Sequence, residues 1–274
     1  MSVAGGLRKA LPRADEVGAE TMQIFVANPR GWAAPTPDSD GDEQFRAECA
    51  AREIAVFVHA PYLINFGSPS SETLAKSSVA LEFSLRRAAA IGARGVVLHA
   101  GSAVLTNSWD AAMAQVREHV LSLLDDLDLE DAGPRLLIEP TAGGGGALAS
   151  DATSLGAYLD ALGRDPRLGV CLDTCHMHAA GHDLSTMDGF AAALRAFGRA
   201  AGRGVIGLVH VNDSRDPVGS KRDRHTSLGA GAIGPAPFAA LFTSTVTRNV
   251  PLVVETAEAD HATDIATLKA LRDA

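Results

Sequence analysis

Ile54-Ala-Val-Phe-Val-His59 is a short apolar run that stops on an imidazole, and the same figure returns five more times. VVL ends in His99, RLLI in Glu139, GVCL in Asp173, IGLV in His210 and PLVV in Glu255, at intervals of 34 to 45 residues. A buried strand has no need to end in a metal-type side chain, so a single case carries little weight. Six cases at one strand-plus-helix period mean that the chain repeatedly delivers a polar donor to the same end of a sheet.

Working outward, the strand candidates are residues 21–28, 54–60, 95–100, 135–140, 169–174, 204–212 and 251–256. They are continuous apolar runs rather than alternating ones, as expected for parallel strands covered on both faces. Helical periodicity fills the intervals. In 72–91 it puts Leu74, Val79, Leu81, Leu85 and Ala88 near one face, and 109–127 follows Ser108, a good N-cap. Segments 185–201 and 260–272 are similar, and the polar stretch 36–44 reads as a long solvated loop.

Alternating strand and helix predicts an α/β fold with right-handed crossovers. A closed TIM (β/α)8 barrel is favoured over an open sheet, which would gather its site at one switch point rather than draw donors from nearly every strand. Only seven strands are found. The chain opens with SVAGGL, which reads as a Gly-rich βα loop, followed by a helix over 7–19 with no strand ahead of it. The first strand is thus missing, and the expectation is that it is encoded upstream of an incorrectly assigned start, because its loss leaves an unpaired edge. The 274 residues suit a single barrel domain spanning 1–274, such barrels typically needing about 250 residues.

The composition, 46% hydrophobic and 21% charged, is that of an ordinary globular chain. No apolar stretch approaches a membrane span. The opening lacks the order of a signal peptide, so a cytoplasmic location is expected. Cys49, Cys171 and Cys175 are odd in number and do not suggest a disulfide framework. Cys175 reads as a small buried residue rather than a thiolate ligand. A net charge of −9 argues against nucleic acid unless cations are bound; three divalent ions would bring it to about −3.

Two local motifs extend the six strand-end residues. Asp173 and His176 lie three apart where a strand turns into its loop, and Asp223 and His225 lie two apart in the loop after His210. Residues i and i+2 of extended backbone face the same way, so the second pair can share a cation. The set of five His, two Asp and two Glu needs no thiolate and suits zinc, with Mn2+ or Fe2+ as substitutes. One catalytic zinc takes about three protein ligands, so nine donors are enough for three ions, a recurrent solution for in-line phosphoryl chemistry. His119, His178, His182 and His261 read as structural or solvent-facing. The Gly143–Gly146 run lacks the pattern of a phosphate-binding loop and reads as a flexible connection.

At these residues a family resemblance becomes specific. His59-Ala-Pro-Tyr-Leu-Ile-Asn65, Glu139-Pro-Thr-Ala-Gly143, Asp173-Thr-Cys-His176 and His210-Val-Asn-Asp-Ser214, followed by Asp223-Arg-His225 and Ser-Leu-Gly229, resemble the endonuclease IV family. That family comprises TIM-barrel, trinuclear-zinc apurinic/apyrimidinic endonucleases of base-excision repair. The resemblance runs from residue 2 to about 270. It implies that His59, His99 and Glu139 hold one zinc ion. Glu139, Asp173, His210 and Glu255 would hold a second, and His176, Asp223 and His225 a third. Glu139 would bridge the first two, and with Glu255 is the expected catalytic carboxylate.

The implied substrate is double-stranded DNA cut 5′ to an abasic site, leaving a 3′-OH. Asn28, Arg30, Tyr62 and Leu63 would face the DNA, with Trp32 beside them and Arg224 pairing with a phosphate or a nearby carboxylate. A missing base lowers the cost of flipping a nucleotide out and so favours such sites. A monomer is expected. Pro140 stands where the family usually has Asn, which puts the support of the bridging carboxylate in question. The competing readings are a metal-dependent sugar isomerase or epimerase on the same barrel, and a compromised DNA-binding relative.

Overall fold

The computed structural model describes residues 1, 3, 6–104, 108–127 and 133–274. Strands β1 (Thr21–Ile24), β2 (Ala55–His59), β3 (Gly95–His99), β4 (Arg135–Glu139), β5 (Leu168–Asp173) and β6 (Ile206–His210) run parallel in chain order. Next come β7 (Asp213–Ser214) and β8 (His225–Thr226), a separate antiparallel ribbon, and β9 (Leu252–Val253), which pairs with β6 and completes a seven-stranded parallel sheet. The helices are α1 (Ala10–Glu16), α2 (Ser39–Ala51), α3 (Ser71–Ala90), α4 (Trp109–Asp126), α5 (Ala152–Ala161), α6 (Thr174–Ala180), α7 (Met187–Ala201), α8 (Ala240–Thr243) and α9 (His261–Asp273). The architecture is a TIM barrel that lacks one strand among the described residues. No helix among them is long and apolar enough to cross a membrane.

Strand periodicity explains the placement of the polar ends. Ala55, Phe57, Val97, Leu137, Cys171, Leu208 and Val253 form an inner cluster, while Val56, Val58, Val96, Leu98, Leu136, Ile138, Val170 and Leu172 face the helices. Because side chains alternate, His59, His99, Glu139, Asp173 and Glu255 extend the inner rows, two residues beyond the last inner apolar side chain. On β6 the phase has to be corrected. Ile206 belongs to the outer cluster, and the β5–β6 ladder skips one residue before Leu208, a bulge that returns Leu208 and His210 to the inside. The extra residue is Gly207, where a Cβ would meet Leu137 at 3.1 Å.

Some sequence expectations need correction. Residues 36–44 are not all loop, since α2 begins at Ser39. Asp38 caps it by accepting from the Gly41 amide at 3.1 Å, and Asp40 and Asp42 stand in the first turn, where acids oppose the helix dipole favourably. Helix α5 has no counterpart among the segments read from sequence. Val79 does not share the buried face of α3. It is exposed, whereas Leu81, Leu85 and Ala88 are buried, because two residues along a helix is more than half a turn. The last strand is two residues long rather than six. Ser108 caps α4 as expected, accepting from the Ala111 amide. Part of the opening SVAGGL lies outside the described residues.

The two ends of the sheet do not pair with each other among the described residues. Between β1 and β9 lies a cavity of about 540 Å³, lined by Thr21, Gln23, Leu252, Val254 and Leu268. The Met1 ammonium reaches into this seam and donates to the Gln23 carbonyl at 2.7 Å. Burial lowers its pKa.

Candidate metal centre

The inward strand ends converge on Glu139, which is 1% exposed. Its Oε2 lies 3.4 Å from His59 Nε2 and 3.4 Å from His99 Nε2; its Oε1 lies 3.1 Å from His210 Nδ1 and 3.3 Å from His176 Nδ1. Glu255 Oε2 is also 3.1 Å from His210 Nδ1. On the far side, Asp223 bridges His225 Nε2 at 2.8 Å and His176 Nε2 at 3.2 Å. Donor atoms within 4.8 Å of one another fall into the groups His59–His99–Glu139, Glu139–Asp173–His210–Glu255 and His176–Asp223–His225. A fourth grouping joins Asp173 and His225 with Cys175, whose thiol burial pushes up to about 12. A thiol so hard to ionise is a poor ligand.

The 3.3–3.4 Å separations around Glu139 are long for direct hydrogen bonds and match a shared cation, whereas those of 2.8–3.2 Å at His210, His225 and Asp223 are of hydrogen-bond length. Two donors of one tetrahedral zinc ion, each about 2.0–2.2 Å from it, stand roughly 3.4 Å apart. Glu139 Oε2 is buried and has no hydrogen-bond partner although two imidazoles face it, and His225 Nε2, although 2.8 Å from Asp223, is not aligned with it for a hydrogen bond. A buried acceptor left unsatisfied is costly unless something absent completes it. The all-nitrogen-and-oxygen donor set suits zinc and excludes no first-row divalent ion.

Without cations, protons balance the carboxylates. Burial by itself disfavours charge on both partners, but His210 and His99 hold the Glu139 carboxyl well below the usual range, and His210 holds Glu255 down at about 2. His176 and His210 are correspondingly held protonated against burial by the carboxylates around them, and Asp173 and Asp223 raise His225 to about 9. Burial dominates elsewhere, pushing Asp173 up and His99 down to about 4.

The imidazole orientations are set from outside the cluster. His59 Nδ1 is 2.7 Å from the Ala60 carbonyl and His176 Nδ1 3.0 Å from that of Pro140, which leaves each Nε2 facing the carboxylates. Pro140 therefore supports the centre through its backbone oxygen, which proline retains. Asn212 donates to Asp173 Oδ2 at 2.7 Å and accepts from the Glu255 amide at 2.8 Å. Gln23 bridges His210 and Glu255. Neither amide is given a role in the sequence reading, although Asn212 lies inside the quoted His210–Ser214 motif. The available signal is a lone polar residue within the apolar run Thr21-Met-Gln-Ile-Phe25, and an amide two residues after a strand-end histidine.

Two further carboxylates hold the loops. Asp213 accepts from the amides of Ser214, Gly229, Gly231, Ile233 and Gly234. Gly231 is required there, since a Cβ would meet the Ser214 carbonyl and the Asp213 carboxylate at 2.3–2.4 Å. Asp264 accepts from Ser227 Oγ and Thr256 Oγ1, both at 2.6 Å, and from the Leu228 amide at 3.0 Å. It thereby joins the segment after His225 to the one after Glu255. Asp264→Ala leaves the buried Thr256 hydroxyl and the partly buried Ser227 and Leu228 donors without this partner and is expected to destabilise the protein by about 1–3 kcal/mol, read as a lowered urea midpoint at unchanged m.

At the mouth, Tyr62 is 44% and Leu63 38% exposed. The Tyr62 ring packs 5.1 Å from His59 and 5.4 Å from Phe25. Asn28 and Arg30 are on the same side of the sheet; the Arg30 amide donates to Asn28 Oδ1, and the Tyr62 amide to the Pro29 carbonyl. Trp32 is half-buried against the core. The Arg224 guanidinium is held by both oxygens of Asp216, so its partner in the structure is a carboxylate. Of the other histidines, His178 is buried with Nδ1 accepting from Leu184, and His119 and His182 pack on Phe66 and Phe197. His261 is buried against the Thr256 carbonyl. Gly143, Gly145 and Gly146 take left-handed φ values in the loop after β4.

Over residues 11–272 the chain matches a family model described as a xylose isomerase-like TIM barrel. It is 51% identical to a probable endonuclease 4 of Streptomyces avermitilis, covering 99% of this chain and 88% of that one. The crystal structure of endonuclease IV from Thermus thermophilus superposes with a TM-score of 0.86 at 31% identity, covering 98% of this chain and 94% of that one. A D-tagatose 3-epimerase-like protein superposes with a TM-score of 0.74 at 17% identity, covering 97% and 93%, and so shares the fold.

Proposed function

The chain belongs to the endonuclease IV family, and on that basis we propose that it is a zinc-dependent DNA-repair endonuclease. It hydrolyses the phosphodiester 5′ to an abasic site in duplex DNA and leaves a 3′-OH. The observation that carries the reading is the sharing of one buried carboxylate, Glu139, by two donor groups, with a third group beginning 3.3 Å away at His176. His59, His99 and Glu139 would hold one ion, Glu139, Asp173, His210 and Glu255 a second, and His176, Asp223 and His225 a third. Mn2+ or Fe2+ are the expected substitutes. Such ions, when bound, bring the pKa of water near neutral and offset charge on an attacked phosphate and its leaving oxygen.

The chain's own residues supply the geometry. The inner strand rows fix the donors in rigid elements, which preserves spacing better than loops do. Glu139 and Glu255 each present an oxygen to His210 Nδ1, so that cations entering the centre would replace the protons that balance these carboxylates. Tyr62 and Leu63 offer apolar surface beside the centre, suited to filling the space that a displaced nucleotide leaves. Asn28 and Arg30 lie on the same rim, and Arg224 reaches a phosphate by exchanging its Asp216 partner. The third donor group disfavours the sugar isomerase reading, which needs one or two ions. The completeness of all three groups disfavours a compromised relative.

The test is a duplex with a single abasic analogue, with and without chelator. Incision 5′ to the site, a 3′-OH product and loss of activity on chelation are expected. Aldose isomerisation without incision would overturn the proposal. Tyr62→Ala is expected to weaken duplex binding by about 1–3 kcal/mol, the range for one stacking contact, with bound metal unchanged in elemental analysis.

A further inference from the structure

We infer that Gln23 is a positioning residue that selects which nitrogen of His210 and which oxygen of Glu255 face the shared cation. The inference rests on the metal-dependent reading above and concerns β1, a strand of the sheet that supplies none of the nine donors. Met22 and Ile24 pack outward against the helices, so alternation turns Gln23 into the barrel, where it is 5% exposed.

The side-chain amide lies between two members of the donor set. Its Nε2 donates to Glu255 Oε1 at 2.8 Å, and its Oε1 is 2.8 Å from His210 Nε2. An amide can be assigned either way round from coordinates alone, and here the chemistry decides. An ionised carboxylate only accepts, so the amide NH2 belongs on the Glu255 side. The amide oxygen then faces His210 Nε2, which must carry a hydrogen. That leaves Nδ1 as the nitrogen with a free lone pair in neutral imidazole. His210 Nδ1 is the atom that stands 3.1 Å from both Glu139 Oε1 and Glu255 Oε2. Using Glu255 Oε1 for the amide leaves Oε2, which accepts only a long contact of 3.4 Å from Asn212 Nδ2, on the side of His210 Nδ1. One glutamine thus fixes one donor atom on each of two ligands, and His210 uses the opposite nitrogen from His59 and His176.

Two measurements on the full-length protein test this. Zinc titration against a chromophoric chelator compares the unsubstituted protein with Gln23→Leu, which keeps the bulk and removes both hydrogen bonds. The weakest zinc step is expected to be about 10- to 100-fold weaker in the variant, the usual cost of losing an outer support of a ligand. Long-range 1H–15N spectra of the zinc-loaded unsubstituted protein read the His210 tautomer whether or not the variant folds, and the expected result is hydrogen on Nε2 and zinc on Nδ1. Equal zinc affinity in a folded variant, or hydrogen on Nδ1, overturns the inference and leaves the metal-dependent reading intact. An unsubstituted protein that takes up no zinc, manganese or iron overturns that reading, and the role of Gln23 with it.

Discussion

Glu139→Gln is expected to lower the rate of abasic-site incision by at least roughly 100-fold, the upper end of what losing a mere outer support of a metal ligand costs. Glu139 has more to lose, because two donor groups share its carboxylate. The substitution preserves the side chain's shape and one oxygen. It replaces the other with an NH2 that cannot ligate, and one of the two positions it can take faces His59 and His99. Elemental analysis should show at least one fewer bound ion per chain. The fold should survive, since Leu137 and Ile138 keep β4 packed on both faces. A Glu139→Gln protein with unaltered metal content and incision rate would remove Glu139 from the centre.

The second large effect is expected on chelation. A ligand present at about 100 times its dissociation constant stabilises the native state by about 2.7 kcal/mol. For a chain of this size, each kcal/mol moves the melting point by about 2–4 °C. Removal of the ions should therefore lower Tm by roughly 5–10 °C, reversibly on adding zinc back. The loss should also depend on pH with a definite sign. In the metal-free state the carboxylates raise His225 from 6.5 to about 9. A raised histidine contributes stability that is complete below its unfolded pKa and lost as pH rises through the folded one. The metal-free protein should thus weaken between about pH 6.5 and 9, while cation binding tightens because fewer protons compete for the same nitrogen. Calorimetry at about pH 6.5 and about pH 8 should show the gap between loaded and metal-free protein widening. A gap that narrows with rising pH would contradict the proton-for-cation exchange.

Much of the centre is legible in the sequence because it obeys the regularities of strands. Parallel strands repeat at a near-constant spacing, and period-2 alternation makes the strand end an extension of the inner row, so counting finds His59, His99, Glu139, Asp173, His210 and Glu255. Pairing Asp223 with His225 needs only the same alternation over two residues. The misreadings have equally physical causes. The start of α2 is acidic and glycine-containing, which resembles a loop unless the preference of a helix N-terminus for acids is weighed. Hydrophobicity rather than angle draws Val79 onto the buried face of α3. Gln23 passes as a lapse in an apolar run because its partners, His210 and Glu255, are 187 and 232 residues away in sequence. The hold of the Pro140 carbonyl on His176 Nδ1 is invisible for the same reason, since the two residues are 36 apart in sequence.

The seam between β1 and β9 has a practical consequence for handling the protein. An open sheet edge is a template for other extended chains, so turbidity or growth in particle size with concentration is to be expected of preparations of this 274-residue chain. The Met1 nitrogen lies in this seam against the Gln23 carbonyl, so chain packed there bears directly on the residue whose amide reaches His210 and Glu255.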